Sequence, residues 1–294
     1  MQKVSLQNKK KLAVSFLCFE KFHGRPIGST GSSQIRAKWV AEKWEDAKIW
    51  SVGQKFDALI LQKVYWEQMI NDFKGAKILD LCDPDWLNGD VAIVDVAHKV
   101  DWITTSTEGL AKYLRQMIKT PITVVPDRLN MDYFTEQRAH TERARNVVWF
   151  GYYHNAQQVL NAPLLHSLKM RGLGLTVVSN GEFAPQNDMG VEITNINWTP
   201  ENAYMDIKSG DFAINPPSMT RGFRFKSNNK TLISWALGLP VANTADEMDL
   251  FMKPDERNKE VAKRMIEIKK DWQVDLSIQQ YKNILCEIQK QKKK

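Results

Sequence analysis

Short apolar runs of strand length alternate with segments of helical periodicity along most of this chain, which restricts it to parallel α/β architecture. Strands are predicted at 12–19, 57–61, 76–81, 101–105 and 122–125, and helices at 35–44, 64–73 and 109–118. Ile35, Trp39, Val40 and Trp44 share one helical face, and Thr105 and Glu108 have capping-box spacing for the helix after them. The polar, charged stretch 127–145 reads as an interdomain linker. The alternation then restarts, with strands at 146–150, 175–179, 191–196 and 211–215 and a short one resuming at Val241. Helices fall near 156–171, at 200–208 behind Thr199, Pro200 and Glu201, and at 230–237, closing at Gly238. After about Asp249 the pattern is charged helix, in which Ile278, Tyr281, Leu285 and Ile288 form one apolar stripe expected to dock on the protein's own body. Two successive α/β domains, 1–135 and 146–247, followed by C-terminal helices over 248–294, are the expected organisation.

The chain has 294 residues, 43% of them hydrophobic, enough for two cores. Its apolar runs are too short to span a membrane. The first of them is followed by Glu20, Lys21 and His23 where a signal peptide would carry a cleavage site, so a first strand and a cytoplasmic protein are expected. Cys18, Cys82 and Cys286 are far apart and odd in number, which excludes a disulfide framework and a Cys-rich zinc site; no metal site is expected.

The net charge of +7 is unevenly placed, since residues 250–294 hold 12 Lys/Arg against 7 Asp/Glu and end in a lysine run that reads as a solvated terminus. A second basic feature is local. No acid occurs from Phe212 to Ala245, whereas Arg221, Arg224, Lys226 and Lys230 lie within ten positions. Here an apolar strand ends in Asn215-Pro216-Pro217, a basic loop follows, and Asn228 or Asn229 caps a helix with Lys230 in its first turn. Ligands of open α/β sheets bind at the carboxyl ends of strands, and a helix N-terminus there favours phosphate. With guanidinium and ammonium groups added, a diphosphate is the fitting guest.

This segment, ending in Gly238-Leu239-Pro240-Val241, resembles the donor-binding segment of the GT-B glycosyltransferases. Asp101-Trp-Ile-Thr-Thr-Ser106, the helix to Ile118 and Ile122-Thr-Val-Val-Pro126, with Asp127 and Phe134 after it, resemble the close of that family's N-terminal domain. Val147-Val-Trp-Phe-Gly151 resembles the first strand and glycine turn of its C-terminal domain, and Trp198 with the helix before Asp211 also fits. The resemblance spans about residues 12–245. It implies an α/β fold of two Rossmann-like domains facing a cleft, with the N-terminal one on the acceptor side and the C-terminal one binding a nucleotide-sugar. It implies metal-independent transfer, hexosyl or related, from a nucleoside-diphosphate sugar, UDP-sugar favoured, and no further cofactor. The donor set it implies is Gly28, Ser29, Thr30, Gly151, Arg221, Arg224, Lys226, Ser227, Asn228, Asn229 and Lys230. One departure stands out. Many retaining members carry two glutamates eight apart around this loop, and here those positions are Phe225 and Ile233.

The loop His23-Gly-Arg-Pro-Ile-Gly28-Ser29-Thr30-Gly31 offers backbone N–H groups that suit a phosphate, and Arg36 could add a contact. Inverting transfer needs a base for the acceptor hydroxyl, for which His23, Asp83 and Asp85 are the candidates; retaining transfer needs none. The acceptor is a glycan or small molecule, or a hydroxymethylated base in DNA. The last is favoured by the basic charge and by Trp39, Trp44, Trp50, Trp66 and Trp86, since base-modifying enzymes extrude their target into a pocket. The alternative is a nucleic-acid-binding or regulatory protein that keeps the fold without transferase activity.

Overall fold

The computed structural model describes residues 12–89, 91–187, 189–217 and 225–293, and the chain forms two compact units, Met1–Pro126 with Ser277–Lys294, and Asp127–Leu276.

The first unit is built on six parallel strands: β1 Val14–Cys18, β2 Ala47–Ile49, β3 Ala58–Gln62, β4 Ala76–Leu81, β5 Trp102–Thr105 and β6 Ile122–Val124. Their order is β2-β1-β3-β4-β5-β6. β1 and β3 are buried along their whole length, as central parallel strands covered on both faces must be. From β1 the chain moves to one side for β2 and to the other for β3, so the topological switch point lies between β1 and β3. The predicted helix at 35–44 is part of a longer helical stretch, Gly31–Ser33, Gln34–Lys38 and Trp39–Lys43, of which the middle is π-helical. Thr107 rather than Thr105 caps the helix Glu108–Arg115, accepting from Leu110 N at 3.2 Å.

Beneath this sheet lies a buried polar knot. Arg36 donates Nε to Asp80 Oδ2 at 2.8 Å and Nη1 to the Val125 carbonyl at 2.8 Å. Thr104 Oγ1 and Tyr281 Oη donate to Asp80 Oδ1 at 2.6 and 3.1 Å. Arg36 is therefore enclosed by its own unit and is not presented to a phosphate, because the carboxylate of Asp80 satisfies its fork. Tyr281 brings the C-terminal helix Val274–Lys292 onto the sheet. Ile278, Tyr281, Leu285 and Ile288 are all buried, so the apolar stripe covers the protein's own body.

The second unit carries five parallel strands: β7 Asn146–Gly151, β8 Gly174–Ser179, β9 Ile193–Asn197, β10 Phe212–Ile214 and β11 Val241–Ala242. Their order is β11-β10-β7-β8-β9, with the switch point beside β7. The single helix expected near 156–171 is two, Tyr153–Val159 and Ala162–Met170. Asn161 caps the second and Pro163 stands in its first turn, where a missing N–H costs nothing. Residues 127–145, expected as linker, are built into this unit: Leu129, Asn130 and His140 are buried, and Leu129 exchanges backbone hydrogen bonds with Trp272 and Val274. His140 Nε2 meets the Gly238 carbonyl at 2.7 Å and its Nδ1 accepts from Arg257 Nε at 3.0 Å. Gly238 has φ +82°, and a Cβ there would lie 2.7 Å from Arg138 N. The glycine of Gly-Leu-Pro-Val thus lets the 137–140 segment pass over the helix end.

Candidate functional site

In the second unit the site grows from the carboxyl end of β7. Gly151 ends that strand with φ +148°, and a Cβ on it would sit 2.5 Å from Lys230 Nζ. Lys230 belongs to the first turn of the helix Asn229–Ala236 and lies 4.3 Å over the Trp149 ring. Burial, and then the neighbouring Lys226, push its ammonium down to about 7. No described carboxylate pairs with it, so a half-buried cation rests on an indole face at the switch-point crevice. Such a group is stabilised by an anion.

The flanking residues differ in what they offer. Lys226 and Asn228 are exposed, and Asn229 is half-buried. Asn228 occupies the N-cap position but makes no side-chain cap bond, so the expected asparagine cap is positional only. Ser227 is turned to Asp127, to which its hydroxyl donates. Arg221 and Arg224 lie outside the described residues. Phe225 and Ile233, where the resemblance would place glutamates, are buried at 4% and 6% exposure; apolar packing has taken the place of acids.

In the first unit the loop after β1 turns inward. The carboxylate of Glu20, wholly buried, accepts from Gly28 N at 2.8 Å, from Ser29 Oγ at 2.7 Å and from Thr30 N. The loop does collect its donors around an anion, as a Gly/Ser nest should, but that anion is Glu20. Gly28, Ser29 and Thr30 are therefore engaged internally.

The three candidate bases lie at the carboxyl ends of β1 and β4, flanking the switch point. A pocket of about 330 Å³ is lined by Phe19, Phe22, His23, Lys63, Tyr65, Asp85, Trp86 and Val91. Asp83 stands beside it, 2.9 Å from Lys63 Nζ, and Asp85 is 3.6 Å from the same ammonium. Tyr65 Oη donates to Asp85 Oδ1 at 2.6 Å. Burial raises Asp85 above the ordinary carboxylate range against the pull of Lys63 and Tyr65. Burial alone would lower Lys63, yet Cys82, Asp83 and Asp85 hold it well above the usual lysine value.

Lys63, Tyr65 and Glu20 escaped the sequence reading. Lys63 is the one described non-glycine residue with positive φ, 53°, a conformation that costs energy and gathers at functional sites. The visible signal was the i, i+2 pairing of Lys63 with Tyr65 and of Asp83 with Asp85, just past adjacent strands. Among the described residues no group of three or more His, Cys, Asp or Glu side chains is placed to hold a metal ion, and no helix is long and apolar enough to cross a membrane.

Neither a known sequence family nor a curated protein matches the chain. Solved structures do. HepE of Anabaena, in complex with UDP and glucose, superposes with a TM-score of 0.66 at 8% identity, over 94% of this chain and 100% of that one. A glycosyltransferase of Rickettsia africae gives 0.60 at 10% identity, over 96% and 100%. The chain has the GT-B fold. TarM of S. aureus shares it with a TM-score of 0.58 at 10% identity, over 82% of this chain and 55% of TarM, so the chain spans about half of TarM's length. At these identities the likeness is one of GT-B fold, each unit carrying its own parallel sheet and switch point.

Proposed function

We propose that the chain is a glycosyltransferase that moves a hexosyl or related group from a nucleoside-diphosphate sugar, UDP-sugar favoured, to a hydroxyl acceptor, without a metal ion. The observation that carries this reading is Lys230, an ammonium on Trp149 over a glycine turn at the second unit's switch point, with no carboxylate partner among the described residues. The complex of HepE with UDP and glucose supports the choice of donor. Lys226 and Lys230 would stabilise the diphosphate as it departs, with Asn228 and Asn229 at the same helix start. Asp85 is the best-placed base, because it lines the pocket and burial raises its pKa; Asp83 stands beside the pocket, held by Lys63, and His23 is the other candidate in the lining.

A thermal-shift screen of nucleotide sugars tests the donor. A UDP-sugar at 100 times its Kd stabilises the protein by about 2.7 kcal/mol, and Lys230→Ala and Lys226→Ala should remove the shift. If no nucleotide sugar raises the melting temperature, the enzymatic reading fails and a regulatory protein of this fold stands. For the base, Asp85→Asn should lower transfer by roughly 100-fold or more while leaving the donor shift intact. A wild-type transfer rate in that variant would remove Asp85 from the role.

A further inference from the structure

Three aromatic rings beside the pocket take no part in the scheme above. Phe22, after β1, is 42% exposed and lines the pocket. Its ring centroid is 5.7 Å from that of Trp66, after β3, and Trp66 lies 6.0 Å from Trp50, after β2. Trp50 and Trp66 are half-buried. The order β2-β1-β3 sets these residues along one carboxyl edge, over roughly 10 Å at the usual strand spacing. That reach exceeds a single pyranose ring.

We infer that Phe22, Trp66 and Trp50 form a subsite for an uncharged oligosaccharide, whose end residue enters the pocket over Asp85 while the preceding residues lie along the rings toward β2. Sugar rings present C–H faces that pack on aromatic surface and hydroxyls that serve as both donors and acceptors. The pocket supplies matching partners in the Asp85 carboxylate, the Tyr65 hydroxyl, the Lys63 ammonium and the His23 ring. Asp85, Tyr65 and Lys63 are already joined in one polar network, which hydroxyls can enter as donors and acceptors, whereas an apolar ligand would displace its water and return no hydrogen bond. A phosphodiester chain would approach a floor where two carboxylates, Asp83 and Asp85, face one ammonium, and nucleic-acid sites need the opposite excess. The inference names the acceptor class of the proposed transferase, but the binding itself requires no donor.

The test is a titration of the full chain with gluco-, malto-, chito- and manno-oligosaccharides of one to five residues, read by tryptophan fluorescence and calorimetry. A duplex containing hydroxymethylcytosine at low salt is run beside them. One series should bind with affinity that rises with chain length. Trp66→Ala and Trp50→Ala should weaken the longer members by roughly tenfold, the scale of one aromatic contact, and leave the monosaccharide unchanged. Trp66→Phe, which keeps an aromatic face and guards against loss of fold, should restore most of the affinity. Absence of binding in all series, a loss equal for one and four residues, or Trp66-dependent binding of the duplex alone would overturn the inference. Length-dependent binding in a protein that no nucleotide sugar stabilises would uphold the subsite while the transferase reading fails.

Discussion

Lys230 concentrates the chemistry of the second unit in one ammonium. Its pKa of about 7 means that in the unliganded protein the group loses its proton near neutral pH. A bound diphosphate favours the charged form and draws the proton back. The affinity for a UDP-sugar, whose phosphates do not titrate in this range, should therefore rise as pH falls from 8 to 6. Calorimetry in buffers of different ionisation enthalpy should record proton uptake at pH 8, and Lys230→Met should abolish both effects. Asp85 sets a matching expectation in the first unit. With its pKa raised by burial, the acid limb of transfer should lie above the ordinary carboxylate range and disappear in Asp85→Asn.

The C-terminal helix Val274–Lys292 shows how an element is fixed by a few contacts at its buried face. Tyr281 Oη donates to Asp80 and its ring meets Phe16 edge-on at 5.8 Å. Tyr281→Phe keeps the ring and loses the hydrogen bond, so urea denaturation should report about 1 kcal/mol of lost stability. Asp80→Ala should cost about 3–5 kcal/mol, because it strands the Arg36 guanidinium in the interior. Equal losses in the two variants would mean that the Arg36–Asp80 pair contributes little.

Over the whole molecule, pH should act through His140, which ties residues 127–145 to the rest of the second unit. Burial depresses its pKa, and Arg257 and Arg138 add to the effect against the Gly238 carbonyl. The folded state thus holds His140 neutral where the unfolded chain is already protonated, so stability present above about pH 6.5 is lost as pH falls through the folded value. The melting temperature should drop from pH 7 to pH 5, and the drop should shrink in His140→Gln.

The alternation of apolar runs determined by itself that the chain is parallel α/β, because a buried parallel strand must be apolar throughout and its return must pass through a helix. Gly238 was legible for the same kind of reason: a helix end that needs positive φ leaves a local mark. The pairing of side chains was not. Arg36 reads as a free cation until Asp80, from another strand, is folded beneath it. The Gly28–Thr30 loop reads as an empty anion nest until Glu20 fills it, and residues 127–145 read as linker until His140 meets Gly238. Lys63, Tyr65, Asp83 and Asp85 lie at the ends of two strands that only the sheet order makes neighbours. Sequence sets the periodicity of burial, whereas the partner of each charge depends on contacts distant in the chain, and those only the tertiary structure decided.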